Sequence, residues 1–227
     1  MIGMTSFLTH LFATDNPVLP HPLAMQLALH GVWAVLLGSA TLWLAGRLAR
    51  PWRWGAAGLV VFWTLLPGEF SPAFWLGLAF QTPSAMSVLL CLGWLWRVHG
   101  QAPEVAGRTV SKRAWRWLAA LGIVLGWVLL LDTLAWWPLS VYVWGFSAAA
   151  VGAVALVAVL LWGILGQAVW ALPLGALALF VATRLPTGNV WDALLDPWLW
   201  GALQGGLLLT WLRRWRAARL VSPATRA

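Results

Sequence analysis

The chain has 227 residues, 62% hydrophobic and 9% charged, with 14 Lys and Arg against 6 Asp and Glu for a net charge of +8. Polar surface cannot cover so apolar a composition in a water-soluble fold of this length, so lipid is the expected solvent. The single cysteine excludes an internal disulfide and a thiolate metal cluster, and headgroup contacts at helix ends account for the basic excess without nucleic acid as a partner.

The first 22 residues carry no cationic stretch leading into a continuous apolar core, so they do not read as a cleaved signal peptide. Met4, Phe7, Leu8, Leu11 and Phe12 follow helical spacing and predict a short amphipathic segment on the outer membrane surface, ended by Asp15-Asn16-Pro17. Seven apolar stretches follow and predict helices near residues 23–46, 52–66, 73–96, 115–131, 141–165, 168–184 and 190–212. The second, fourth and sixth are short for a bilayer. The expected fold class is therefore all-α, a polytopic membrane bundle of seven transmembrane helices over residues 23–216, with a cytoplasmic tail at 217–227. The polar stretch from Arg97 to Arg116 has no apolar face, so no soluble domain is expected.

Cutting the chain at these helices gives an orientation. With the N-terminus outside and the C-terminus inside, Arg47, Arg50, Arg53, Arg97, Arg108, Lys112, Arg113, Arg116, Arg213, Arg214, Arg216, Arg219 and Arg226 lie inside with Glu104. Asp15, Glu69, Asp132, Asp192 and Asp196 lie outside with Arg184. Cytoplasmic retention of cations then places the chain in a bacterial inner membrane, with the lipid bilayer and other membrane subunits as partners. Most of the 21 tryptophans divide in the same way, Trp52, Trp54, Trp115 and Trp215 among them beside inner arginines and Trp75, Trp136, Trp191 and Trp198 at the outer ends, where indoles anchor to headgroups.

Leu66-Pro67-Gly68, Ser71-Pro72 and Phe74-Trp75-Leu76-Gly77 parallel Leu185-Pro186, Asp196-Pro197 and Trp198-Leu199-Trp200-Gly201. In each, Ser or Asp before Pro is in N-cap and first-turn order, and Gln81 or Gln204 follows. Superposing them lays spans one to three on spans five to seven, a 3+1+3 internal repeat in which the fourth span restores orientation. Shared punctuation at membrane loops gives the same likeness without a repeat. The plan resembles that of SWEET-type and other PQ-loop carriers, which implies a small-solute site between the halves; the chain has no Pro-Gln pair. The segment from Trp191-Asp192 to Trp198 and Trp200, with Trp136-Trp137, resembles the WWD signature of haem-handling cytochrome c maturation proteins, which implies an outer haem-handling surface. That family's flanking histidine pair is not evident.

Polar residues within the spans are Gln26, His30, Gln81, Ser84, Ser87, Ser147 and Gln204. Gln81-Thr82-Pro83-Ser84 interrupts the third span, and the carbonyl freed by a proline must face protein, water or ligand because lipid cannot satisfy it. His30, Gln81 and Gln204, with Ser84, are expected to converge on a ligand pocket in the outer half of the bundle; a kink relieved by Thr82 and Ser84 is the structural alternative. Glu69, Asp192, Asp196 and Arg184 form a second candidate site, for a cationic or aromatic ligand beside the outer indoles. Asp192 and Asp196 share a face if one helix runs through both, whereas Pro197 favours Asp196 as an N-cap with Asp192 on a preceding turn. Arg184 is the expected counter-ion of these acids.

No lysine lies in a span, which excludes a retinal Schiff base. No histidine follows Ser147 to act as its base, and there is no H-E-x-x-H, P-loop or dinucleotide glycine fingerprint. These patterns name no catalytic residue, metal ligand or cofactor. Small-residue faces at Gly145 to Gly152 and Gly201 to Gly206 suit contact with partner helices. The expected function is a non-enzymatic accessory or assembly subunit; a small-solute carrier or binding protein, and an outer-face haem or lipid handling protein, are the alternatives.

Overall fold

The structure, a computed structural model, describes residues 11–14, 17–99, 112–136, 138, 140–165 and 168–221. Met4, Phe7, Leu8, Glu104, Arg108 and Arg226 lie outside the described residues, among which every regular element is helical.

Helix α1 (Pro22–Leu44) starts where Pro22 supplies first-turn geometry and the His21 side chain accepts from the Leu23 amide. The chain returns through Ala45–Arg47 into α2 (Arg50–Thr64). Gly38 admits Val61 so closely that a Cβ there would lie 2.7 Å from its methyl, and Arg53 Nε donates to the Leu42 carbonyl at 2.8 Å. The third expected span is two helices, α3 (Pro72–Phe80) and α4 (Ala85–Val98), because the chain is extended at Ser84 and left-handed at Gln81.

The fourth span is not short. Helix α5 (Lys112–Thr133) has 22 residues, because Lys112 and Arg113, ahead of the helix expected from residue 115, belong to its first turn. The fifth divides at Gly145 into α6 (Val141–Trp144) and α7 (Ala148–Leu165), and the sixth is α8 (Ala171–Thr183). The seventh divides into α9 (Val190–Leu194) and α10 (Pro197–Val221), since Leu195 is extended and Pro197 can open a helix but not continue one. Arg and Ala sustain α10 to Val221, so the tail expected from residue 217 begins inside a helix. Two helices, Pro22–Arg47 and Lys112–Thr133, are long and apolar enough to cross a membrane; α4, α7 and α8 are apolar but shorter.

Helix α1 rests on α2, α3 and α4; α4 packs on α8 and α9, α7 on α8, and α10 on α5. The α5–α10 seam uses two glycines one turn apart. A Cβ on Gly126 would meet Trp200 Cδ1 at 2.3 Å and one on Gly122 would meet Leu203 at 2.9 Å, while Trp200 Nε1 donates to the Ile123 carbonyl. The two halves of the proposed repeat are therefore packed differently, since α3 and α4 lie against α1 whereas α10 leans on the fourth span. Met86, Leu177, Phe180 and Trp191 centre the largest core cluster, joining α4, α8 and α9. Leu27, Leu44 and Ile164 are 73%, 74% and 76% exposed while Thr64, Ser71, Ser84 and Asn189 are fully buried.

Candidate functional site

The break between α3 and α4 brings three parts of the chain together. Gln81 ends α3 with φ 61° and ψ −160°, a region that side chains disfavour, and its carbonyl accepts from Trp33 Nε1 of α1 at 3.0 Å. Trp198, in the first turn of α10, meets the Trp33 ring edge-on at 6.0 Å and the Phe80 ring at 4.8 Å. Ser84 caps α4 by accepting from the Ser87 amide. One oxygen of Asp196 accepts from the Ser84 amide at 2.9 Å, the Ser84 hydroxyl at 2.6 Å and the Ser87 hydroxyl at 2.5 Å. The other accepts from the Leu199 amide at 2.8 Å and so caps α10. A single carboxylate thus closes the N-termini of two helices, and its charge, 6% exposed, sits where both helix dipoles favour it.

A second network ties the C-terminal end of α5 to α6 and α9. Asp132, at the end of α5, accepts from the Tyr142 amide at 2.7 Å, and the Tyr142 hydroxyl donates to Asp192 at 2.8 Å together with the Thr187 hydroxyl at 2.5 Å. Asn189 caps α9 through the Trp191 amide and donates to the Tyr142 carbonyl, while Trp191 Nε1 donates to the Val141 carbonyl. Gly145 is required at this contact, since a Cβ there would lie 2.1 Å from Asn189 Oδ1. Asp192 stands on α9, outside the long helices, and burial raises its pKa from the ordinary 3.8 against the opposing pull of the Thr187 and Tyr142 hydrogen bonds.

Asp196 caps α10 and Asp192 stands on the preceding short helix, the arrangement that Pro197 favoured; the two do not share one helical face, because Leu195 interrupts the helix and each carboxylate has its own donors. Glu69 is exposed on the Gly68–Phe70 turn, where its carbonyl accepts from Trp75 Nε1. Arg184 is not their counter-ion: its guanidinium lies over the Phe180 ring at 5.4 Å, and among the described residues it makes no ion pair. No hydrogen bond joins the side chains of His30, Gln81 and Gln204. His30 Nδ1 is 3.1 Å from the Gln26 carbonyl, its Nε2 is buried without a partner, the Gln81 side chain is exposed and Gln204 is half-buried on α10. Of the expected inner group only Ser84 is drawn into the junction, with Asp196 from the outer group. Gly145 is filled by Asn189 and Trp191 and offers nothing to a partner helix, whereas Gly201, Gly205 and Gly206 have nothing within 4 Å of where a Cβ would stand.

Ser87, Tyr142 and Asn189 were not singled out as site residues. The spacing of Asn189 to Asp192 and of Ser84 to Ser87, three residues each, is a capping signal that marks two of them. Tyr142 is the only tyrosine in a chain with 21 tryptophans, so its hydroxyl is the one phenolic donor in the sequence.

A cavity of 440 Å³ lies between α4, α5, α6, α7, α8, α9 and α10. Trp115 and Trp170 stand toward one end and Trp144 and Trp191 toward the other, with Leu, Val and Ala between them and no charged residue in the lining. His30, Gln81 and Gln204 do not line it. Among the described residues no group of three His, Cys, Asp or Glu side chains is placed to hold a metal ion. No protein-family model, curated protein or solved structure matches the chain.

Proposed function

We propose that the chain is a seven-span protein of a bacterial inner membrane, N-terminus outside and C-terminus inside, that serves as a non-enzymatic accessory or assembly subunit. Two long apolar helices, three shorter ones and outward-facing leucines support the membrane reading; the placement of cations and acids along the sequence supports the orientation. In this reading α3 and α4 cross the bilayer as one broken span. The break suits the hydrocarbon region because its exposed backbone groups meet Trp33 and Asp196 instead of lipid. Both oxygens of Asp196 are occupied by donors of the chain itself, which favours a structural role over acid–base chemistry.

The observation that carries the subunit role is the open face of α10. Gly201 and Gly205, one turn apart, lie on the opposite side of the helix from Leu199 and Leu203, and among the described residues nothing lies within 4 Å of where their Cβ atoms would stand. Small residues at this spacing let a partner helix approach backbone to backbone. Gentle extraction should therefore yield the chain with a stoichiometric membrane partner. Replacing Gly201 and Gly205 with Leu should release that partner while the chain keeps its own melting temperature. A chain that is extracted alone from its native membrane, or a double variant that holds its partner unchanged, contradicts the reading.

A further inference from the structure

The cavity and the inner cations belong to the same pair of helices. Gly126 faces Trp200 and Gly122 faces Leu203, so α5 and α10 run antiparallel, and each step inward lowers the residue number on α5 as it raises that on α10. Carried ten residues inward from Gly122 and Leu203, this register sets Lys112 level with Arg213 and Arg214, about 15 Å along the helices. Lys112, Trp115, Ala119 and Gly122 are spaced i, i+3, i+7 and i+10, and the last three line the cavity. On α10, Arg213 and Arg214 straddle the face that carries the cavity-lining Leu199 and Leu203. Arg116 is one turn from Lys112 and donates through Nε to its carbonyl; all four cationic side chains are exposed. The first turn of α5 carries no acid, so its cations stand at the positive end of the helix dipole, an arrangement that favours an external anion.

We propose that the cavity receives an acyl chain of an anionic phospholipid whose phosphate is held by Lys112, Arg116, Arg213 and Arg214. The apolar lining suits a hydrocarbon chain, and its 440 Å³ falls within the roughly 300–1,000 Å³ of small-ligand sites. Charge decides the headgroup. A zwitterionic lipid fills the cavity equally well but gains little net attraction from four cations, whereas an anionic one gains from each. The proposal rests on the membrane reading above and is independent of the partner subunit.

The test uses the full chain reconstituted in equimolar phosphatidylcholine and phosphatidylglycerol vesicles, re-extracted in mild detergent, with retained lipid quantified by mass spectrometry. Phosphatidylglycerol should be retained over phosphatidylcholine by about tenfold or more, as expected for several cations acting on one anionic headgroup. Replacing the four cations with Gln should abolish that preference, and Ala153→Trp, which fills the cavity from α7, should lower retention of phosphatidylglycerol, each with the wild-type melting temperature. Equal retention of the two lipids by the wild-type chain overturns the proposal whether or not the variants fold. So does displacement of the lipid by millimolar inorganic phosphate, which would make the site one for the free anion. A chain that does not enter vesicles at all refutes the membrane reading instead.

Discussion

Asp196 has two oxygens and four protein donors, and the donors come from two helices whose N-termini it closes together. Replacement by Asn keeps the size but turns one oxygen into a donor, which must face either the Leu199 amide or the Ser84 and Ser87 groups. Asp196→Asn and Asp196→Ala should both destabilise the protein by about 2–4 kcal/mol, from a lost cap plus unsatisfied buried donors. Unfolding in detergent by denaturant measures this; a cost within about 0.5 kcal/mol, the range of surface substitutions, would show that the junction does not hold the fold. Asp192 differs because its folded pKa is raised, chiefly by burial. Its contribution is therefore fully present below the ordinary value of 3.8 and is lost as pH rises through the folded pKa. Asp192→Asn should remove this dependence, so that at neutral pH the variant is at least as stable as the parent and gains less on acidification. Melting curves of both proteins over that pH range decide it, and a variant that gains as much as the parent on acidification contradicts the assignment.

At the scale of elements, the seam between α5 and α10 depends on Gly126, whereas Gly201 on the far side of α10 touches nothing. Gly126→Ala should cost about 1–3 kcal/mol by forcing Trp200 away and breaking its bond to Ile123, while Gly201→Ala should be tolerated. Melting temperatures of the two variants provide the check, and equal shifts would refute the contact. The sequence made some of this legible. Ser71-Pro72 and Asp196-Pro197 announce helix starts because capping is local, and both residues do cap. The break at Pro83 was readable for the same reason. What satisfies it was not: Ser84 and Asp196 are 112 residues apart, and no spacing rule pairs them. The start of α5 was misplaced because its cations look like loop in a composition-based cut, although Lys and Arg are good helix formers. The resemblance between the two hairpins extended to their caps, since capping needs only neighbours in sequence, while the helices that follow rest on different neighbours, α3 on α1 and α10 on α5.

For the whole molecule, many large apolar residues among those described face outward, while the buried Thr64, Ser71, Ser84, Asn189 and Asp196 find hydrogen-bond partners within the chain. The two long apolar helices, α1 and α5, are joined by shorter helices whose ends are secured by the Asp192 and Asp196 networks. In the proposed reading, the distribution of cations sets the direction of threading. That threading is the central claim, and alkaline phosphatase fusions, active only outside the cytoplasmic membrane, test it most directly. A fusion after Asp132 should be active and one after Arg108 inactive; an active fusion after Arg108, or an inactive one after Asp132, would contradict the account.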